Sequence, residues 1–242
     1  MKIRDSVAFV TGANRGIGLE FVRELVAAGA RKIYAAARNP DSIEVDGVER
    51  VPLDVTRPEA IAAAAKRYTD VNLLINNAGI ALWTDFLAPE GIQAARSEME
   101  TNYFGPLELS RAFAATLAKN GGGAIINMLS VVSWVAVPSG GTYSASKAAA
   151  WSLTNGLRTA LKKQGTQVVG VHVGPVDTDM ASQLTFPKVK PVEVVRQALS
   201  ALEAGRPEVL VDDWTRQVKA GLSADSGIYL DFDPGRREAS AS

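Results

Sequence analysis

Short apolar segments alternate with longer segments of helical periodicity along almost the whole chain. Parallel strands need a crossover connection, usually a helix, so this alternation is typical of βαβ units. The sequence therefore predicts an α/β protein with a doubly wound parallel sheet of about seven strands and helices on both faces. The predicted strands are 7–10, 32–37, 48–53, 71–75, 124–129, 167–173 and 208–211, and the predicted helices are 17–28, one from Thr56, 91–119, 142–163 and 192–203.

Length and organisation favour one domain. The chain has 242 residues, of which 47% are hydrophobic, and it contains no internal repeat or dividing linker. A chain of this length can bury a large core as one α/β unit, although two small domains would also fit. We expect a single domain over residues 1–242 that carries both the cofactor and the substrate sites, with a flexible polar tail at 231–242.

Composition narrows the classes of partner. Basic and acidic residues balance at 26 each, so the basic field that nucleic-acid binding needs is missing. Without cysteine, and with His172 as the only histidine, the chain offers little to a transition metal, and we expect no metal site. It has neither a signal-peptide pattern nor an apolar run near the roughly 20 residues of a membrane span. We therefore expect a cytoplasmic protein with no nucleic-acid or membrane partner.

Three glycines, Gly12, Gly16 and Gly18, lie between the first predicted strand and the first predicted helix. Their spacing, G-x-x-x-G-x-G, is a variant of the dinucleotide fingerprint G-x-G-x-x-G. Glycine allows a tight turn and a close approach of a pyrophosphate to the helix N-terminus, whose free N–H groups attract phosphate. The alternative interpretation is a tight strand-to-helix turn without a ligand.

Two arginines bear on the choice of cofactor. A carboxylate at the end of the second strand would favour NAD, whereas an arginine there accommodates the 2′-phosphate of NADP. This chain has Ala37 and Arg38 at that position, and Arg15 lies within the glycine turn. The residues favour NADP, although either arginine could instead be an ordinary solvated side chain.

Tyr143 and Lys147 are four residues apart at the start of the predicted helix 142–163, so both lie on one helical face. A nearby ammonium should lower the pKa of the phenol towards the working pH and make it an acid–base group. Ser130 ends a predicted strand, where open α/β sheets bind ligands, and its hydroxyl could hold a substrate oxygen. Taken singly, the pair could be a surface pair and Ser130 an ordinary strand-end serine.

Taken together, these residues resemble the short-chain dehydrogenase/reductase family, of the compact single-domain type with a Rossmann fold. The resemblance extends from Ser6 to about Leu222 in unbroken order. The motifs that carry it are Thr11 to Gly18, Asp54-Val55, Asn76-Asn77-Ala78-Gly79, Asn102, Ser130, and Tyr143 with Lys147.

The resemblance implies roles for these residues. Tyr143 would exchange the proton, Lys147 would lower its pKa and bind the nicotinamide ribose, and Ser130 would orient the substrate oxygen. Asn102 would hold a water that links Lys147 to solvent. The implied NADP-binding residues are Gly12, Asn14, Arg15, Gly16, Ile17, Gly18, Arg38, Asp54, Val55, Asn76, Ala78, Gly79, Tyr143, Lys147, Gly174 and Thr178.

One turn departs from the family pattern. The family usually has Pro-Gly after the sixth strand, whereas this chain has Val173-Gly174 followed by Pro175. We expect a locally altered turn with the cofactor site retained.

The segment 181–190 resembles a short substrate-binding loop and predicts a modest or open pocket. Trp83, Trp134 and Trp151 are candidates to line the pocket, with packing or interface roles as the alternative, and Trp134 is the favoured pocket wall. His172 is expected to be a buried strand-end residue and not a catalytic base.

The resulting hypothesis is an NADP(H)-dependent oxidoreductase that acts on a small carbonyl or alcohol substrate, most simply a carbonyl reductase. The alternatives are a non-enzymatic NADP-binding regulator and an enzyme of another class on the same fold, such as an epimerase or dehydratase.

Small and apolar residues on several faces of 91–119 and 142–163 favour a homodimer or homotetramer through these helices.

Overall fold

The computed structural model describes residues 1–225 and 227–230. Seven strands form one parallel sheet in the order β3-β2-β1-β4-β5-β6-β7. The strands are β1 (Val7–Thr11), β2 (Lys32–Ala37), β3 (Glu49–Pro52), β4 (Leu73–Asn76), β5 (Ala124–Met128), β6 (Gln167–His172) and β7 (Glu208–Leu210). The predicted α/β class and the doubly wound parallel sheet are confirmed.

Helices cover both faces of the sheet. They are α1 (Gly16–Ala27), α2 (Pro58–Arg67), α3 (Gly91–Met99), α4 (Gly105–Lys119), α5 (Gly141–Ala160), α6 (Pro191–Glu203) and α7 (Asp213–Gly221). Alternate residues of β1 show the two layers, because successive side chains of a strand point to opposite faces. Ala8 and Val10 pack in the core with α1 and α6, whereas Val7 and Phe9 pack in the core with α2, α4 and α5.

The strand order places the site. Strand β1 lies between β2 and β4, so the chain runs outwards in one direction as far as β3 and then returns to build the sheet on the other side. At such a reversal the crossover connections diverge, which leaves a crevice beyond the carboxyl ends of the strands. The glycine turn after β1 and the segment that follows β4 both open into this crevice.

The predicted helix 91–119 is continuous but not uniformly α-helical. A π-helical segment, Glu100–Phe104, joins α3 to α4 and contains Asn102. Such insertions widen one turn of the helix and often occur at functional sites. Hydrophobic periodicity cannot detect a single widened turn, so the sequence predicted the helix but not this feature.

Helix α7 was missing from the prediction. It begins after Asp212, whose carboxylate accepts a hydrogen bond of 2.9 Å from the Thr215 N–H, and it buries only Thr215 and Val218. So short and polar an element shows almost no apolar repeat, and Asp212 as an N-cap was the available signal. None of the helices in the described residues is long and apolar enough to cross a membrane. The predicted flexible tail, 231–242, lies outside the described residues.

Candidate active site

A cavity of about 1100 Å³ runs along the carboxyl ends of the strands, from the glycine turn to the start of α5. Most of the predicted site residues line it. They are Gly12, Asn14, Arg15, Gly16, Ile17, Arg38, Asp54, Val55, Ala78, Gly79, Ser130, Tyr143, Lys147, Gly174 and Thr178. Gly18, Asn76 and Asn102 are not among the described residues that line the cavity. Their contacts lie in the packing behind it.

The glycine turn is crowded in a way that requires glycine. Gly12 has φ +64°, and a Cβ there would lie 2.9 Å from the Cα of Ala78. A Cβ on Gly18 would lie 2.0 Å from the carbonyl oxygen of Gly12. Gly18 therefore brings α1 close to the turn instead of lining the cavity, and it acts on the site by packing.

The start of α1 has free backbone donors. Within residues 1–225, the N-cap Arg15 has extended backbone angles, and its side chain makes no capping hydrogen bond. The first turn of α1 contains no acidic residue. The first N–H groups of a helix have no partner inside it, so they can bind an anionic group together with the helix dipole. This crowded turn and uncapped helix fit the pyrophosphate of a dinucleotide.

Asp54 and Arg38 lie together beyond β3 and β2. The Asp54 carboxylate accepts hydrogen bonds from the Thr56 N–H at 3.0 Å and from the Thr56 hydroxyl at 2.8 Å. Partial burial opposes ionisation of this carboxyl, but the two hydrogen bonds and the charges of Arg38 and Arg57 hold its pKa below the ordinary value. Arg15, at the glycine turn, forms an exposed ion pair with Asp179 at 3.2 Å.

The side chains of Asn76 and Asn77 lie in different environments. Asn76 is paired in register with Asn127 of β5, so both side chains point to the same face of the sheet. The Asn76 amide donates to the Asn127 side-chain oxygen at 2.8 Å, and its contacts lie in the core. Asn77 lines the cavity instead, and its amide donates to the Thr11 carbonyl at 2.9 Å. Side chains alternate along a strand, so the Asn76 side chain lies in the core. The family resemblance implies a cofactor contact through the Asn76 backbone, and this stays a prediction.

The phenol of Tyr143 lies in the first turns of α5 and is buried. Burial is the main influence on the pKa of this phenol and raises it well above the ordinary value. The charge of Glu98 adds to the increase, and a hydrogen bond with Ser130 opposes it. The sequence predicted a lowered pKa for this phenol, and burial raises it instead. The phenol stays protonated at neutral pH, as a proton donor must.

Lys147 is the second buried group. Its ammonium donates a hydrogen bond of 3.0 Å to the carbonyl of Met128, at the end of β5. Burial lowers the pKa of this ammonium to about 8. Ser130 is two residues further along, where its hydroxyl donates to the Val173 carbonyl at 3.3 Å. Strand β5 and helix α5 thus bring Ser130, Tyr143 and Lys147 to the same part of the cavity.

Asn102 lies behind the cavity wall. Its side-chain oxygen accepts from the Ile80 N–H at 2.9 Å, and its amide donates to the Ile80 carbonyl at 2.8 Å and to the Ser146 hydroxyl at 2.9 Å. A Cβ on Gly79 would lie 3.1 Å from the Asn102 oxygen. The π-helical segment therefore uses Asn102 to fix the chain at Gly79 and Ile80 against α5.

The turn after β6 is held by α7. The Gly174 N–H donates to the Asp212 carboxylate at 2.7 Å, and a Cβ on Gly174 would lie 3.1 Å from the ring of Trp214. Gly174 and Thr178 both line the cavity. The sequence predicted an altered turn here, but it did not predict the helix that fixes the turn, whose one local signal is the N-cap Asp212.

The prediction that Trp134 forms the pocket wall is wrong. Its ring stacks on His172 at 4.0 Å between centroids. Of the three candidate tryptophans, Trp83 is the one among the described residues that line the cavity, and Trp214 lines it as well. His172 ends β6, is fully buried, and donates from Nδ1 to the Ser130 carbonyl at 3.2 Å. Burial lowers the pKa of His172 to about 3, so the ring is neutral near pH 7.

Comparisons with known proteins agree with this geometry. The family model described as short chain dehydrogenase matches residues 6–188. A dehydrogenase/reductase SDR family member 7B from Danio rerio is 29% identical, over 94% of this chain and 81% of its own length. A short chain dehydrogenase from Burkholderia cenocepacia, solved in complex with NADP, is 44% identical with a TM-score of 0.89, over 93% of this chain and 95% of its own.

A further solved structure bears on the fold alone. A short chain dehydrogenase/reductase from Burkholderia phymatum, solved in complex with NAD, is 23% identical with a TM-score of 0.80. The match covers 91% of this chain and 94% of that one. Proteins of this fold have thus been solved with either nicotinamide cofactor. Among the described residues, no group of three or more His, Cys, Asp or Glu side chains is arranged to hold a metal ion.

Proposed function

The chain belongs to the short-chain dehydrogenase/reductase family, and we propose that it is an NADP(H)-dependent carbonyl reductase. The observation that carries this proposal is that Ser130, Tyr143 and Lys147 line the same cavity. That cavity also extends to the glycine turn and Arg38. Acid–base residues at one end and a phosphate-binding helix N-terminus at the other are the two parts that nicotinamide chemistry needs.

In this proposal the residues have separate roles. NADPH, held between the glycine turn and Lys147, would supply the hydride for the carbonyl carbon, so that the products would be an alcohol and NADP⁺. The Tyr143 hydroxyl gives its proton to the carbonyl oxygen, and the Ser130 hydroxyl holds that oxygen by a hydrogen bond. Lys147 binds the nicotinamide ribose, and its ammonium is the nearby proton source for the phenol. Asn102 keeps Gly79 and Ile80 in place beside them, and a water held there is an expectation from the family.

Two observations support NADP over NAD. Arg38 lines the cavity at the end of β2, where NAD-binding proteins have a carboxylate. The Burkholderia cenocepacia relative that is 44% identical was solved in complex with NADP. Reduction is the proposed direction because NADPH normally serves as a reducing cofactor. A buried, protonated Tyr143 phenol is the form that can donate a proton in that direction.

The proposal is tested by following the absorbance of NADPH, and separately of NADH, with small ketones, aldehydes and quinones. We expect the protein to oxidise NADPH faster than NADH and to lose turnover when Tyr143→Phe removes the phenolic hydroxyl. The variant should still bind NADPH, because a phenyl ring fills the same space. Equal turnover by the protein and this variant would contradict the proposal.

Other outcomes would favour the alternatives. Tight NADPH binding without turnover of any carbonyl compound would favour the non-enzymatic regulator, and turnover without net change in the cofactor would favour an epimerase or dehydratase.

We also propose a single domain over residues 1–242 and a homodimer or homotetramer. A monomer mass in light scattering at micromolar concentration would remove the oligomer. Cytoplasmic location stays a prediction.

A further inference from the structure

The cavity wall changes character between its two ends. Polar lining residues such as Arg15, Arg38 and Asp54 belong to the glycine turn and to the ends of β2 and β3. Around Tyr143 the wall is largely apolar, because the phenol belongs to a separate hydrophobic cluster. The lining residues that belong to this cluster or pack against it include Val131, Val132, Trp83, Val137 and Trp214.

Trp83 has an unusual backbone conformation. With φ 52°, it is the one non-glycine residue with positive φ among residues 1–225 and 227–230. Bulky side chains avoid this region because the Cβ approaches the backbone, and such strain persists only where surrounding contacts impose it. Strained residues of this kind concentrate at ligand sites. The contacts that impose this conformation on Trp83 therefore indicate its role at the site.

Three contacts hold the indole ring. Its Nε1 donates to the Met180 carbonyl at 3.1 Å, which ties the segment after β4 to the turn after β6. Its centroid lies 5.5 Å from that of the Tyr143 ring, with the two planes inclined by 51°. A Cβ on Gly140 would lie 3.0 Å from the indole ring, so this glycine makes room for it.

The backbone before the indole is anchored as well. The Leu82 N–H donates to the carboxylate of Glu98 at 2.7 Å, and Glu98 is fully buried in α3. Both the chain and the ring of Trp83 are therefore fixed from separate elements. A rigid, flat, apolar surface stands beside the hydroxyl that would deliver the proton.

We infer that the site takes a flat, apolar carbonyl compound, such as a ketone attached to an aromatic ring, and that Trp83 is the specificity-determining residue. This inference rests on the proposed function. An aromatic ring can lie against the indole while its carbonyl oxygen reaches Ser130 and Tyr143. A polyhydroxylated substrate would have to leave its hydroxyl groups unpaired against Trp83, Val132 and Val137, which is costly.

The test compares acetophenone with dihydroxyacetone and acetone, with NADPH as cofactor. We expect kcat/KM to be about 100-fold higher for acetophenone than for dihydroxyacetone. Trp83→Ala should reduce that preference about tenfold, mainly through KM for acetophenone, and should change acetone turnover little. Trp83→Phe keeps an aromatic face but loses the bond to Met180, so it should lie between the two.

A control variant separates the indole surface from general loosening of the segment. Phe86→Leu changes an aromatic side chain three residues away that packs on Gly141 and is not among the described residues that line the cavity. It should keep the preference for acetophenone. The inference is overturned if Phe86→Leu and Trp83→Ala act alike, or if dihydroxyacetone is the better substrate.

A binding measurement keeps the inference testable if turnover fails. Calorimetry with acetophenone and the NADPH-loaded Tyr143→Phe protein should show binding that weakens about tenfold when Trp83→Ala is added. NADPH affinity, measured in the same variants, shows whether each still folds. Binding of acetophenone without any carbonyl turnover by the parent protein would refute the proposed reductase but keep the apolar site. No binding, or binding indifferent to Trp83, would refute the inference itself.

Discussion

The ammonium of Lys147 lies 5.7 Å from the centre of the Tyr143 ring, while its hydrogen bond goes to the Met128 carbonyl. Helical spacing brings the two side chains to one side of α5, but strand β5 holds the charge. Burial shifts the two groups in opposite directions: it raises the pKa of the phenol and lowers that of the ammonium. Both shifts favour the uncharged form.

Lys147→Met should abolish activity and yet stabilise the fold at neutral pH. The pKa of Lys147 is about 8 in the folded protein, below its ordinary value of 10.5, so at pH 7 the folded protein bears the whole cost of burying the charge. Removing the charge should stabilise the variant by up to about 3 kcal/mol, whereas losing the hydrogen bond to the Met128 carbonyl should destabilise it by about 1 kcal/mol. The free energy of unfolding should therefore increase by about 2 kcal/mol.

The difference in unfolding free energy between Lys147→Met and the wild type should also depend on pH. Between pH 8 and 10.5 the folded lysine has lost its proton while the unfolded one still holds it, so the wild type gains stability as pH rises. Urea unfolding of both proteins at several pH values should show the advantage of the variant shrinking over this window. A constant difference across the window would contradict a charged, buried Lys147.

Glu98→Gln should shift the pH profile of alcohol oxidation to lower pH. Glu98 is buried, and its negative charge raises the pKa of Tyr143, so removing the charge makes the phenolate easier to form. Oxidation needs the phenolate as base, and its rate should therefore rise at a lower pH. The amide oxygen can still accept from Leu82. Glu100→Gln, an exposed change two residues on, is the control and should leave the profile in place.

Arg38→Asp should weaken NADPH binding about 10- to 100-fold, the effect of losing hydrogen bonds to a charged group. NADH has no 2′-phosphate, so its affinity should change much less. Arg50→Asp makes the same charge change on β3, outside the described cavity lining, and should alter both affinities little. Calorimetric titration with each nucleotide provides the comparison, and equal losses for NADPH and NADH would remove Arg38 from the phosphate site.

Gly18→Ala should destabilise the protein by about 3 kcal/mol or more, because the new Cβ would lie 2.0 Å from the Gly12 carbonyl and force α1 away from the turn. Gly221→Ala is the matched control, since its Cβ would meet Ile228 at an ordinary 3.4 Å. That change should alter stability by less than about 1 kcal/mol. Thermal unfolding of both variants tests the difference, and a neutral Gly18→Ala would contradict the close packing of α1.

Local signals explain why most of the fold could be predicted from the sequence. The strands and the larger helices follow from apolar periodicity, and the glycine turn follows from residues adjacent in the chain. The short α7 and the π-helical segment escaped because their signals are a single capping Asp212 and one widened turn at Asn102. Neither leaves a repeating pattern.

By itself, the sequence determined the order of the elements and the family motifs, since both are written in consecutive residues. Only the tertiary structure decided which side chains face the cavity. Register with Asn127 directs Asn76 into the core and leaves Asn77 at the cavity, and stacking on His172 removes Trp134 from the wall. Trp83 faces Tyr143 because the segment after β4, the turn after β6 and α5 meet there. That meeting joins residues far apart in the chain, and no local pattern records it.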